Sequence, residues 1–117
     1  MLAFARSQLL TAALGRRSIE VIDIFRVDEN GNVLATFSDC EVLHELLVAH
    51  IPLDSCCLRF IDPYGDTTFN QLQLPVLVAE LGAAAKAAPT LRQRIESLAV
   101  FIEAAREPHL YVKFVGD

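Results

Sequence analysis

The side chains in this sequence best suited to chemistry are Asp23, Arg59, Asp62, Asp66 and Lys113. Asp62 and Asp66 bracket a Pro-Tyr-Gly turn within the polar stretch from Leu58 to Asn70. Two carboxylates held close together can divide acid and base duties or hold a divalent ion. With Asp23 from a neighbouring strand, and Arg59 and Lys113 as cations, they outline the site of a small enzyme or ligand-binding domain at one end of a sheet. A plainer reading gives both carboxylates to the turn, since Asp commonly bonds nearby backbone donors. Neither reading matches a known catalytic signature. The chain has no glycine-rich phosphate loop, no Gly-x-Ser-x-Gly elbow and no His-Glu-x-x-His run.

Metal chemistry has a thinner basis. Cys40 and His44 stand four apart on a predicted helix, a spacing that turns both side chains the same way. A site would need His50, Cys56, Cys57 or His109 to converge on them, and no Cys-x-x-Cys or His-x-x-x-His pattern links any of these. Asp28, Asn30 and Asn32 superficially match a calcium loop. Gly31 precedes Asn32 instead of filling the sixth position, and Asp39 stands where the bidentate Glu belongs. The expectation is therefore no metal and no cofactor. Three cysteines, two of them adjacent, read as reduced thiols of a cytoplasmic protein.

The aromatics offer a different function. Tyr64 at the tip of a rigid turn, Phe101 round the wheel from its helix's apolar stripe, and Tyr111 on the outer side of the last strand are candidate interface anchors.

These side chains need a scaffold, and the hydropathy pattern supplies one. Residues 19–27 read as a central strand with Ile22 and Ile24 on one side and Val21, Asp23 and Phe25 on the other. Asn30-Gly31 turns the chain back into a second strand, 33–37. Ser38 and Glu41 have capping-box spacing ahead of Val42, Leu43, Leu46 and Leu47, a helix that should end near residue 50 because Pro52 follows. Alternation over 56–62 predicts a third strand, with 67–69 returning against it. A helix over 75–88 presents Val76, Leu77, Leu81, Ala84 and Ala85. Its Gly82 and alanines imply close packing. Thr90 and Gln93 form a second capping box before the stripe Leu91, Ile95, Leu98, Ile102 and Ala105. Residues 109–115 form the last strand, with Leu110, Val112 and Phe114 facing inward.

The 117 residues suit one domain, and the 53% apolar content excludes disorder for most of it. No run of 18 apolar residues exists to span a membrane. The net charge of −5 is unevenly placed. Residues 1–17 carry Arg6, Arg16 and Arg17 with no acid, while the rest sets seven bases against fifteen acids, a balance of −8. Such a body repels a nucleic-acid backbone. The basic start has the composition of an N-terminal helix and also of an organelle-targeting segment.

The reading is an α+β fold with two layers: a mainly antiparallel sheet of four or five strands, with two or three helices on one face. A basic helical segment (1–17) precedes a single domain (18–117). The leading functional expectation is a non-enzymatic interaction or regulatory module that self-associates as a homodimer or binds another protein. A small enzyme built on Asp62 and Asp66 is the alternative.

Overall fold

The computed structural model describes residues 21–49 and 55–116. The expectations placed on residues 1–17, on residue 19, and on His50 and Pro52 lie outside the described residues.

Four strands form one antiparallel sheet: β1 (Ile22–Asp28), β2 (Val33–Phe37), β3 (Asp66–Phe69) and β4 (Leu110–Gly116), in the order β2-β1-β4-β3. Among the described residues, three helices pack on one face: α1 (Val42–Ala49), α2 (Leu74–Ala87) and α3 (Arg92–Glu103). The inward residues Ile22, Ile24, Phe69, Val112 and Phe114 meet Leu43, Leu46, Leu77, Leu81, Ile95, Leu98 and Ile102 in a single core. Two layers closed on one apolar face are the simplest way to bury such stripes.

The β1–β2 hairpin turns as its residues require. Gly31 has a φ of 85°, and the Asp28 carboxylate accepts the backbone N–H groups of Asn30 (2.9 Å) and Asn32 (2.8 Å). Further along, Arg26 pairs with Ala35 but Val27 pairs with Val33, so Leu34 is an extra residue that bulges edge strand β2. A bulge of this kind interrupts the ladder and hinders edge-to-edge growth.

Residues 56–62 do not form the strand their alternation implies. The chain makes a 3₁₀ turn at Leu58–Phe60, with Cys57, Leu58 and Ile61 buried and Cys56, Arg59 and Phe60 exposed. Strand β3 therefore pairs with β4, not with this stretch. The backbone donors that a strand would spend on a neighbour go instead to one side chain. Glu80 of α2 accepts the N–H groups of Cys56, Cys57 (3.0 Å) and Leu58 (2.9 Å).

Both predicted capping boxes are replaced. Asp39, not Ser38, supplies the oxygen before α1, accepting the Glu41 N–H at 3.4 Å. The Arg94 guanidinium grips both Asp39 oxygens at 2.7 and 2.9 Å and reaches Glu45 at 3.2 Å, tying α3 to the start of α1. A 3₁₀ turn at Pro89–Leu91 leads into α3, with no side-chain cap from Thr90. The reciprocal pair at a helix start is Asn70 and Gln73: Asn70 Oδ1 accepts the Leu72 and Gln73 N–H groups, and Gln73 Oε1 accepts that of Asn70.

Helix α2 is sparsely charged because α3 of the same chain folds back over it after a bend of 118°. Its buried side is Leu74, Leu77, Leu81, Ala84 and Ala85; Val76 is exposed, and a Cβ on Gly82 would meet nothing within 4 Å. Among the described residues no single helix is long and apolar enough to cross a membrane.

Candidate functional site

Strand pairing fixes where the candidate residues lie. Asp23 of β1 and Asp66 of β3 both stand opposite Val115 of β4, on the sheet face that carries none of the described helices (below, the helix-free face). Their Cα atoms are therefore roughly 9.5 Å apart, two strand spacings. One row further along the same face, Lys113 stands between Phe25 and Thr68, and its Nζ lies 3.6 Å from Asp66 Oδ2. Asp23, Asp66 and Lys113 thus share one face. The other two candidates do not join them.

Asp62 belongs to its turn. Its Oδ1 accepts the Tyr64 N–H at 2.8 Å, and its own N–H donates to Thr67 Oγ1 at 2.9 Å. Gly65 does not supply a positive φ; a Cβ there would lie 2.7 Å from Asp62 Oδ2, so the carboxylate that holds the turn would have to shift. The turn docks against the end of β4, where the Gly116 N–H donates to the Gly65 carbonyl at 2.8 Å. Arg59 is exposed on the 3₁₀ turn, its guanidinium 4.7 Å from the centre of the Phe60 ring.

Two shallow concavities, each of about 270 Å³, flank Tyr111. One is lined by Val27, Asp28, Glu29, Gly31, Thr68, Tyr111 and Lys113, and the other by Asn70, Gln71, Leu72 and residues 108–111. Of the five candidate residues only Lys113 lines either. Neither concavity is lined by Asp23, Asp62 or Asp66. No group of three or more His, Cys, Asp or Glu side chains is placed to hold a metal ion among the described residues. Asp28, the first position of the rejected calcium loop, is committed to its hairpin, and the Asn32 bonds hold its carboxyl below the ordinary range. His109 lies with Nδ1 2.8 Å from Glu29 Oε1, at a φ of 69°.

The three aromatics differ in circumstance. Tyr64 is 73% exposed at the turn tip. Tyr111 is half-buried on the helix-free face, beside Val27. Phe101 is engaged within the chain: its ring packs 5.4 Å from that of Phe37, and Arg26 lies over it at 4.9 Å. Arg26 Nη1 also donates to the Phe101 carbonyl at 3.2 Å. Parity along β1 holds the only clue to this contact, since it sets Arg26 on the Ile22–Ile24 side.

Among the described residues, the helix-free face is built of three cross-strand rows. Its rows are Asp23–Val115–Asp66, then Thr36–Phe25–Lys113–Thr68, then Val33–Val27–Tyr111. Phe25, Val115 and Tyr111 take no part in the core. Compared with known proteins, the chain matches no family model, no curated protein and no solved structure.

Proposed function

We propose that this chain is a non-enzymatic interaction module that self-associates. The observation that carries the reading is the sheet face without described helices, where the half-buried Phe25, Tyr111 and Val115 and the exposed Val33 form an apolar patch around the buried Val27. Contiguous apolar surface on a small domain is a mark of an interaction site. The exposed Tyr64 is a further anchor beside the same end of β4. The dispersal of the five chemistry-bearing residues over the sheet face, a turn and a 3₁₀ segment weakens the alternative of a small enzyme.

Native mass spectrometry of the purified protein tests this reading. The expected result is a species at twice the monomer mass with no added ligand. A monomer carrying a bound small molecule or ion would favour the ligand-binding alternative, with the Lys113-lined concavity as its first site to mutate.

A further inference from the structure

The chain has three asparagines, and their side chains are held very differently. Asn70 Oδ1 accepts the backbone N–H groups of Leu72 (2.9 Å) and Gln73 (3.1 Å), which fixes its amide at the start of α2. Asn32 Nδ2 donates to Asp28 Oδ2 at 3.0 Å. The Asn30 amide has no such partner among the described residues; only its backbone N–H is bound, to Asp28 Oδ1 at 2.9 Å. Asn30 is also exposed at the tip of the β1–β2 hairpin. A side chain left in water there can rotate towards the next peptide nitrogen.

The residue after each asparagine decides whether that approach leads to reaction. Asn30 precedes Gly31, Asn32 precedes Val33 and Asn70 precedes Gln71. Glycine has no Cβ to screen its nitrogen, and the space a Cβ would take at Gly31 has nothing within 4 Å. The branched Val33 side chain is stiff and crowds its own backbone. A free amide and an unscreened nitrogen therefore coincide at one position.

We infer that Asn30 is a site of self-modification, converted in the folded protein to aspartate and isoaspartate through a cyclic imide with Gly31. The Gly31 nitrogen attacks Asn30 Cγ. The new N–Cγ bond replaces Cγ–Nδ2, and the Gly31 proton leaves with Nδ2 as ammonia. Water then opens the imide. Cleavage at Cγ gives aspartate, and cleavage at the backbone carbonyl gives isoaspartate, whose chain runs through Cβ and Cγ. Neither step changes an oxidation state. Either product adds a negative charge beside Asp28 and Glu29. Isoaspartate also lengthens, by a methylene, the loop that the Asp28 N–H closes on the Asn32 carbonyl at 3.0 Å.

The hairpin restrains the reaction. The Gly31 N–H donates to the Asp28 carbonyl at 3.0 Å, and the Asp28 carboxylate holds the N–H groups on either side, of Asn30 and Asn32. Attack requires the Gly31 proton to be given up and the Asn30 peptide to turn, so these bonds must open first. Asp28 is accordingly a positioning residue that slows the conversion. None of this depends on the self-association proposed above.

Peptide mapping by tandem mass spectrometry tests the inference on the full chain, aged at physiological temperature and mildly alkaline pH. Acid should accumulate at Asn30 while Asn32 and Asn70 keep their amides. Asp28→Ala should speed conversion at Asn30 severalfold and leave Asn70 unchanged, Asn70 reporting that the fold is retained. Conversion at Asn32 or Asn70 ahead of Asn30, or three amides that persist equally, overturns the site. An Asp28→Ala rate equal to that of the wild type overturns the restraint assigned to Asp28.

Discussion

Glu80 and Leu58 are joined across 22 positions of sequence, the carboxylate on α2 accepting the Leu58 N–H at 2.9 Å. The same carboxylate serves Cys56 and Cys57, so one side chain fastens the 3₁₀ segment to the helical layer. Leu58 is fully buried, and its N–H has no water to fall back on when the acceptor is removed. Leaving a buried donor unsatisfied costs about 1–3 kcal/mol. Glu80→Ala should therefore lower the unfolding free energy by about 2–3 kcal/mol in urea titration. Glu80→Gln keeps one acceptor oxygen and should lose less than half as much.

The same contact adds to the effect of burial on thiol reactivity. Burial, followed by the Glu80 charge and neighbouring Cys56, pushes the Cys57 thiol above its ordinary value. The Cys57 thiol also donates to the Gln73 carbonyl, at 3.9 Å. Since the thiolate is the reactive form, a maleimide should label exposed Cys56 well before Cys57 at neutral pH. Glu80→Ala should accelerate Cys57 labelling severalfold. Equal rates for the two cysteines in the native protein would contradict this account.

Acid should loosen the α1–α3 junction. Hydrogen bonds and charge from Arg94 hold the Asp39 carboxyl below its ordinary 3.8, against the opposing effect of partial burial. A depressed folded value means the stabilisation is present above 3.8 and is lost as pH falls below that value through the folded one. The pair is partly solvated, with side chains 37% and 28% exposed, so its worth is about 1 kcal/mol. Asp39→Asn should cost that much at neutral pH. The gap between variant and wild type should narrow progressively in denaturation curves recorded at pH values below 3.8.

Two glycines should respond with opposite signs. Gly82 is exposed within α2 and has open space where a Cβ would go. Gly82→Ala should raise stability by about 0.5–1 kcal/mol. At Gly116 a Cβ would lie 2.2 Å from the Pro63 carbonyl oxygen, so the turn must move. Gly116→Ala should cost about 1–3 kcal/mol, as overpacking does. Thermal melting of both variants checks the pair.

The contrast between these glycines shows what could be read from the chain alone. Local pattern located the Asn30-Gly31 hairpin, the inward side of β4 and the apolar stripe of α3, because turn chemistry and periodicity act over a few residues. It misjudged Gly82, whose side of α2 is decided by where α3 lies. The 56–62 segment failed for a deeper reason. Its alternation imitated a strand, but the acceptor for its backbone donors is Glu80, and no local rule reports a partner more than 20 residues away. The candidate site divided along the same line. Asp62 in its turn was foreseeable from Pro63-Tyr64-Gly65, whereas the shared face of Asp23, Asp66 and Lys113 depends on β4 lying between β1 and β3.

The central claim, self-association through the helix-free face, is tested most directly by following side-chain NMR signals on dilution. Signals of the Val33 and Val115 methyls and of the Phe25 and Tyr111 rings should shift together along one binding curve. Val76 and Val100, exposed on the helical side, should stay fixed. Shifts confined to Val76 and Val100, or no shift at any concentration, would contradict the account.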